Sequence, residues 1–403
     1  MFEPKTYSTD WEIMLVDKLE RCVDTEKILG FAGVLMRELD LPVVIDDMAL
    51  EIGMGINHSF DEFCTRLQAV TERAGQLARE FDLDLFPAGS HPIYGIYCGS
   101  HIHVGTIHDE TKAIQLENDL MRFVPAFAAL AANSPAAHGM RGEFKSYRIR
   151  DVAWHAATPS DWRDPSTTQS DWGRDSQPKI YSKPTVEVRI ADCASSRRFL
   201  AEFAAFVAAF LHWRGKDVHE TQRSADAYKE YLTNRWSASR HGLQATFYWD
   251  GKPRPVTDVL AEMLDDCRAE LKHVGVKRSD LNVIESMLRK RTCQADFAVS
   301  LHDRYPDRWL LTSAYSKLVR QWDIFEEYLE KAKPLEPVPP IDEETILEEH
   351  LAYVGESTHF YWLRTAMWYP APVTDEIIDR LVREGRITRD ATETCGMLLH
   401  RTR

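Results

Sequence analysis

Short apolar segments alternate with longer amphipathic ones along the first half of the chain. Four of the short segments predict β-strands, because each is rich in β-branched or large apolar residues and has polar or turn-prone neighbours. They span residues 10–16, 43–54, 101–107 and 185–191. Because helical patterns lie between these strands, a mixed α and β fold is expected.

Three longer segments predict helices, since their apolar residues recur at helical spacing or fill the segment throughout. They span residues 61–81, 111–132 and 197–213. Ser59 precedes the first helix and Glu62 follows three residues later, which is the sequence form of a capping box. Pro125 lies inside the second helix, so a kink or break is expected there.

Differences in amino-acid composition divide the rest of the chain into four segments. Residues 155–184 contain four prolines and many small polar residues, which predicts a long polar loop. Residues 257–333 have a mostly helical pattern, so one large domain is expected over residues 1–333. The proline-rich segment 334–340 predicts a stiff linker. Residues 341–403 then predict a small helical C-terminal appendage.

Bulk properties narrow the classes of function. The chain has 403 residues and a net charge of −14, and this acidity argues against a broad nucleic-acid surface. Its seven cysteines form no CxxC pair, so neither a disulfide framework nor a zinc knuckle is expected. No secretory signal or membrane span is recognised, and a cytoplasmic protein is expected. The oligomeric state stays open, a homodimer included.

Chemically active residues recur at alternate positions of the predicted strands, so each pair shares one face of its strand. The pairs are Asp10 and Glu12, His101 and His103, and Glu187 and Arg189, with Glu51 in the second predicted strand. If the strands form one sheet, four carboxylates and two imidazoles converge on one polar face. Such a group is tolerable when divalent cations lie among the carboxylates, and its ligand types suit Mg²⁺ or Mn²⁺.

Cations of this kind commonly bind substrate phosphates, and Arg148 and Arg189 could then contact a transferring phosphoryl group. Each pair also has a structural interpretation. Asp10 and Glu12 could form a solvated acidic face, and Glu187 and Arg189 a salt-bridged one. It is the joint occurrence of the pairs that indicates a site, although it does not identify a reaction.

Several ordered motifs resemble the bacterial, plant-like glutamate–cysteine ligase family, whose members are also called carboxylate–amine ligases. The matching segments are D-W-E-I-M-L-V-D at 10–17, A-L-E-I at 49–52, G-S-H-P at 89–92, S-H-I-H-V-G at 100–105, A-A-N-S-P at 131–135, S-Y-R at 146–148, P-T-V-E-V-R-I-A-D at 184–192 and N-R-W-S-A-S-R-H-G at 234–242. The resemblance covers about residues 5–330 and leaves out the linker and the appendage.

The resemblance implies an α+β fold like the catalytic domain of glutamine synthetase and guanidino kinases. A curved, mostly antiparallel sheet would carry ATP and metal on its concave face, with helices packed behind. The implied metal ligands are Asp10, Glu12, Glu51, His101 and Glu187. The implied ATP-binding residues are His103, Arg148, Asn234, Arg235 and Arg240, although packing roles are equally compatible with the last three. Arg148 and Arg189 would contact the transferred phosphate.

The implied reaction uses ATP and Mg²⁺ or Mn²⁺ to join a carboxylate to an amine through an acyl phosphate. Small amino acids or amines would be the substrates, with the glutamate side chain and cysteine as the default pair. Departures from the family motifs, such as Asp10 in place of Glu and the segment 139–144, leave both substrates open. Three alternatives stay open as well: a metal-dependent amide hydrolase, a guanidino kinase and a non-catalytic nucleotide-binding regulator.

Overall fold

The computed structural model of the chain describes most of its residues, and the observations below concern these. They are residues 6–19, 21–46, 48–105, 107–151, 175–179, 184–216, 225–302, 304–305, 307–342, 344–346, 357–359, 378–392 and 396–401. Most of the predicted polar loop, residues 155–174 and 180–183, lies outside them.

The described residues form a seven-stranded main sheet in which all neighbouring strands are antiparallel. Its strands are β1 (Thr6–Asp17), β2 (Val43–Asp46), β3 (Ala49–Gly53), β4 (Leu83–Phe86), β5 (Ser100–Gly105), β8 (Ser176–Pro178) and β9 (Thr185–Val188). The order across the sheet is β2-β3-β1-β5-β9-β8, and β4 pairs with the far end of β1.

All four predicted strands are confirmed, with two differences. The segment 43–54 forms the two strands β2 and β3 around a tight reversal, and not one strand. The segment 155–184, predicted as a loop, contains the edge strand β8. The loop prediction was wrong there because Ser176, Gln177 and Pro178 have no apolar alternation that could indicate a strand.

Helices cover one face of the sheet and extend the core beyond it. The longer described helices are α1 (Thr25–Leu39), α2 (Phe60–Glu80), α3 (Glu110–Leu120), α4 (Val124–Ala131), α6 (Arg197–Arg214), α7 (Ala225–His241), α8 (Val256–Asp266), α10 (Asn282–Lys290), α11 (Gln294–His302), α12 (Arg308–Val319) and α13 (Ile324–Lys331). Two short ones are α5 (Tyr147–Asp151) and α9 (Arg268–Leu271). The α+β class with a mostly antiparallel sheet is therefore confirmed.

Helix α6 is the central support of the sheet. It packs on β1 and β5, and its side chains from Phe199 to His212 are all buried. Its apolar character therefore reflects burial among α2, α8, α9 and α10. No helix in the described residues combines the length and apolar character that a membrane span requires.

Local signals in the sequence account for several helix ends. Ser59 caps α2, accepting a hydrogen bond from the Glu62 amide at 3.2 Å, as the capping-box pattern predicted. The Glu62 side chain accepts from the amide of His58 at 2.8 Å. The break expected at Pro125 is also present, because α3 ends at Leu120 and α4 begins at Val124. Proline thus occupies the first turn of α4, where its missing amide hydrogen costs nothing.

Two small hairpins complete the described part of the large domain. Strands β6 (Ala136–Ala137) and β7 (Met140–Arg141) form one, and β10 (Thr246–Trp249) and β11 (Lys252–Pro255) form the other. Asp250 and Gly251 join the second pair, and both have positive φ, as a two-residue turn of this type requires.

The proline-rich segment 334–340 lies against the large domain along part of its length. The amide of Leu335 donates to the carbonyl of Lys290, and that of Val338 donates to Gln244, both at 2.9 Å. Beyond this segment, the prediction of a helical C-terminal appendage was wrong for many of the residues that the structure describes between 341 and 403. Strands β12 (Ser357–His359), β13 (Ile387–Thr392) and β14 (Gly396–Arg401) form a three-stranded antiparallel sheet, although residues 378–383 are helical. The division into domains at 333 and 341 stays a prediction.

We expect Glu202 of α6 to stabilise the fold through the start of α10. Its Oε2 accepts hydrogen bonds from the amides of Val283 and Ile284 at 2.9 and 3.0 Å, and its Oε1 accepts from Arg198 at 2.7 Å. Glu202→Ala leaves the amides of Val283 and Ile284 buried without this acceptor, so the free energy of unfolding should fall by about 2 kcal/mol in urea denaturation. Glu202→Gln should lose less, because an amide oxygen still accepts.

The matched control for this experiment is Glu330→Ala, which truncates an exposed glutamate of α13. It should change the free energy of unfolding by less than about 0.5 kcal/mol. Equal stability of Glu202→Ala and the control would show that Glu202 does not support α10.

Candidate functional site

The antiparallel register brings the predicted acidic and imidazole residues onto one face of the main sheet. Asp10 of β1 lies opposite His101 of β5, and Glu12 of β1 lies opposite Glu51 of β3. His103 of β5 lies opposite Glu187 of β9. Alternation along each strand keeps these side chains on the same side of the sheet. The structure therefore brings together six residues that the sequence placed in one site.

These residues divide into two groups of three. Within each group, one potential ligand atom of every residue lies within 4.8 Å of those of the other two. We refer to the set as the acid–imidazole cluster. The first group contains Asp10, His103 and Glu187, and all three side chains are buried. His103 Nε2 lies 2.8 Å from Asp10 Oδ2 and 3.4 Å from Glu187 Oε1.

The second group contains Glu12, Glu51 and His101. His101 Nε2 lies 3.4 Å from Glu12 Oε1, and its Nδ1 lies 3.5 Å from Glu187 Oε1. Glu187 Oε1 thus faces both imidazoles, yet it is buried and has no hydrogen-bond partner among the described residues. A buried carboxylate oxygen in this condition is costly unless a cation approaches it.

Electrostatics in the second group favour a bound cation. Burial raises the pKa of Glu12 to about 7, against the opposing effects of Arg148 and the Gly99 amide, and the neighbouring Asp46 and Glu51 raise it further. Burial, with Arg189 next in effect, lowers the pKa of His101 well below its usual range, so its imidazole is neutral near pH 7. A neutral imidazole beside two acidic groups is a suitable ligand set for a divalent cation.

Glu187 has the opposite balance. Burial by itself would raise the pKa of its carboxyl, but interactions with the two imidazoles and with the cations Arg189 and Lys179 outweigh it and lower the pKa to about 2. Oε2 accepts a hydrogen bond from Gln177 Nε2 at 2.7 Å and lies 3.2 Å from Lys179 Nζ. Glu187 is therefore ionised. Its Oε2 contacts Gln177 of β8 and Lys179, which follows that strand, and its Oε1 faces the two imidazoles.

Sequence reasoning missed Gln177 and Lys179 as site residues. They belong to a polar segment without apolar alternation, and no spacing rule links them to Glu187. The only available signal was their separation of two residues, which places both side chains on one face if the segment forms a strand.

Arg148 lies beside the cluster, but its guanidinium is largely engaged by the protein itself. Nη1 donates to the carbonyls of Ile190 and Ala191 at 3.1 and 3.3 Å. Nη2 donates to the carbonyl of Arg189 at 3.1 Å and lies 3.4 Å from His101 Nε2. The geometry therefore favours a role in fixing the end of β9 and orienting His101.

Gly99 permits this close approach. A Cβ at position 99 would lie 2.6 Å from both Arg148 Nη2 and His101 Nε2, which is closer than any real contact. The Gly99 amide also donates to Glu12 Oε2. A glycine is thus required where Arg148 of α5, His101 of β5 and Glu12 of β1 come together.

Asp192 connects three of the sequence motifs behind the cluster. It is fully buried, and its Oδ2 accepts from the Asn133 amide and the Ser134 hydroxyl, both at 2.7 Å. Its Oδ1 accepts from the Ser146 hydroxyl at 3.0 Å. Burial raises the pKa of Asp192, and Arg148 and these hydrogen bonds oppose the rise. The motifs at 131–135, 146–148 and 184–192 therefore form one hydrogen-bonded support.

The other residues predicted to bind ATP are engaged elsewhere. Asn234 exchanges hydrogen bonds with the backbone of Tyr248 at 2.7 and 2.8 Å, which joins α7 to β10. Arg235 forms a buried bidentate ion pair with Asp175 and donates to the carbonyl of Ile149 at 2.8 Å. These contacts favour scaffold roles, and the ATP-binding assignment of both residues stays a prediction.

Arg240, the third residue of this motif, donates to the carbonyl of Glu143 and lies over the ring of Phe144, 4.8 Å from its centroid. Its contacts likewise favour packing of α7 against the segment before α5. The assignment of Arg240 to ATP binding also stays a prediction.

A pocket of about 390 Å³ opens beside Asp10 and His103. Its other lining residues are Thr6, Tyr7, Ser8, Pro42, Gly53, Gly55, Ile56, Gly105, Pro184 and Thr185. These include no lysine or arginine, and most are small or apolar. The pocket is therefore suited to a neutral, flat or apolar group and poorly suited to a free carboxylate.

Sequence comparison relates the chain to a known family. The profile of glutamate-cysteine ligase family 2 matches residues 93–163 and 171–306, just over half of the chain. A protein named "Putative glutamate--cysteine ligase 2" from Ralstonia pickettii is 27% identical over 253 residues, covering 52% of this chain and 66% of that protein. One of the same name from Cronobacter sakazakii is 26% identical over 265 residues, covering 55% and 71%. The chain thus spans just under two thirds of the first relative.

Two solved structures share the fold at low sequence identity. A bifunctional glutathione synthetase from Pasteurella multocida matches with a TM-score of 0.59 and 10% identity, over 80% of this chain and 52% of that one. A glutamate–cysteine ligase from Francisella tularensis, in complex with AMP, matches with a TM-score of 0.56 and 13% identity, over 92% and 98%. With the profile match over half of its length, the chain belongs to glutamate-cysteine ligase family 2.

Proposed function

We propose that the chain is an ATP-dependent ligase that joins a carboxylate, by default the side chain of glutamate, to an amine such as cysteine. The observation that carries this proposal is the acid–imidazole cluster, whose two groups share one sheet face and have five of their six residues buried. Family membership supports the reaction class. The cluster supports the use of a nucleotide, because paired divalent cations commonly bind phosphates.

The residues present fit a pair of divalent cations. Asp10, His103 and Glu187 would hold one, and Glu12, Glu51 and His101 would hold the other. This assignment makes His103 a metal ligand in addition to the predicted five. When bound, the cations supply positive charge that neutralises the phosphates and polarises the group that is transferred. Oxygen-rich sites with one imidazole each suit Mg²⁺ or Mn²⁺.

The position of the apolar pocket indicates the orientation in which a nucleotide would bind. It borders Asp10 and His103, so a nucleoside seated there would present its phosphates to the cluster. Arg148 lies away from the pocket, 3.4 Å from His101 Nε2, and Arg189 follows β9, with its Nη1 3.9 Å from Glu187 Oε2. We assign the pocket to the nucleoside and the region of the two arginines to the substrate carboxylate, because cations there would attract it.

The reaction then proceeds by two displacements. A carboxylate oxygen of the donor attacks the γ-phosphorus of ATP, the bond to the β-phosphate oxygen breaks, and ADP leaves. The amine nitrogen attacks the acyl carbon of the resulting acyl phosphate, the carbon–oxygen bond breaks, and phosphate and one proton are released. Such steps depend on positioning and charge stabilisation, and they need no covalent nucleophile from the protein.

We expect ADP release from purified protein to require both glutamate and an amine. The assay supplies ATP, Mg²⁺ or Mn²⁺ and glutamate, adds pools of amines in turn, and follows ADP and phosphate. Mass spectrometry of a positive pool identifies the amide. Release of a phosphorylated guanidine would instead indicate a guanidino kinase, and amide cleavage without ATP would indicate a hydrolase. Binding of ATP without ADP release in any pool would contradict the proposed ligase.

We expect Glu187→Gln to lower turnover by more than about 100-fold, because it removes a charged ligand whose Oε1 faces both imidazoles. The amide keeps the shape of the side chain, so thermal unfolding should remain close to that of the wild type. Glu330→Gln, an exposed change in α13, is the matched control and should leave turnover unaltered. Turnover of Glu187→Gln equal to the control would remove Glu187 from the site.

A further inference from the structure

The cluster needs a cation that can reach the phosphates of a bound nucleotide, and the arginines are not well placed for that task. Four N–H groups of Arg148 point at three backbone carbonyls and His101. Arg189 follows the end of β9, and its Nη1 lies 3.9 Å from Glu187 Oε2, farther than the Lys179 ammonium at 3.2 Å. Neither arginine is among the residues that line the pocket, and the Arg189 amide donates to the carbonyl of Asp175, at the other end of β8 from Lys179.

Lys179, by contrast, adjoins a residue of the pocket. Its amide donates to the carbonyl of Thr185 at 2.8 Å, so the residue continues the ladder between β8 and β9. Thr185 lines the apolar pocket, and its hydroxyl lies 3.2 Å from His103 Nδ1. The Lys179 side chain is only 18% exposed, and its ammonium lies 3.2 Å from Glu187 Oε2. The Lys179 backbone is therefore paired with a residue that lines the pocket, and the Lys179 ammonium lies against Glu187 of the first group.

Gln177 makes this lysine unnecessary for holding Glu187. The Gln177 side chain is buried and donates to the same Oε2 atom at the shorter distance of 2.7 Å. An ammonium has three donor hydrogens. Within the described part of the chain, the Lys179 ammonium forms an ion pair with Glu187. If Glu187 shares its charge with bound cations, the attraction between Glu187 and Lys179 weakens, and the ammonium can turn to a phosphate oxygen.

Resting on the proposed function, we propose that Lys179 binds the phosphate chain of the nucleotide, whereas Gln177 positions Glu187 for the metal. The two residues lie on one face of one edge segment and touch one oxygen atom, yet they have different tasks. Gln177 fixes the carboxylate through a neutral hydrogen bond. Lys179 supplies a charge-assisted hydrogen bond to the phosphates.

The test separates the two tasks by measuring two affinities. Isothermal titration gives the affinity for Mn²⁺ alone and then the affinity for ATP at saturating Mn²⁺. Lys179→Met should leave Mn²⁺ binding unchanged or slightly tighter, because it removes a repelling charge, and should weaken ATP binding about 10- to 100-fold. Lys179→Arg should restore most of the ATP affinity. Gln177→Leu should weaken Mn²⁺ binding about 10-fold or more.

Lys27→Met, an exposed lysine on α1, is the control and should match the wild type in both affinities. Thermal unfolding of each variant checks the fold. Two outcomes overturn the inference: ATP affinity of Lys179→Met equal to the control, or Mn²⁺ affinity of Lys179→Met lowered as in Gln177→Leu. Failure of the wild type itself to bind ATP in Mn²⁺ would instead overturn the proposed function.

Discussion

The crowding of four carboxylates and two imidazoles on one face of the main sheet, with five of the six residues buried, is the constraint on which the rest of the structure depends. Charged groups removed from water are costly unless opposite charge or hydrogen bonds compensate them. The described residues compensate only part of this cluster: Glu187 is kept ionised by surrounding positive charge, whereas the pKa of Glu12 is raised to about 7. Divalent cations would supply the rest of the positive charge that the carboxylates require.

The surrounding structure holds this cluster rigidly. Helix α6 packs on β1 and β5, which carry four of the six cluster residues, and so holds these two strands together. Asp192 ties the segments before α5 and after β9 together, and Arg148 binds three successive carbonyls at the end of β9. Arg148, which its motif alone would assign to the transferred phosphate, thus contacts mainly backbone carbonyls. These contacts help to hold the cluster residues in their positions.

The sequence predicted the cluster because alternation in strands is a strict rule: residues two apart share a face, and Asp10, Glu12, His101 and His103 met once the strands paired. It did not predict the contacts of Lys179 or Arg235, because which partner a long polar side chain reaches depends on the packing of distant segments. The same limit explains the C-terminal sheet, where β13 and β14 form by pairing with each other and leave only weak apolar alternation.

The most direct test of the central claim is the number of Mn²⁺ ions that bind each chain. Electron paramagnetic resonance of free Mn²⁺, followed during titration of the purified protein, measures that number. We predict two ions in the wild type and a loss of at least one in Asp10→Asn, since Asp10 belongs to a group of three buried ligands. No binding in the wild type, or two ions still bound in Asp10→Asn and Glu12→Gln alike, would contradict the account.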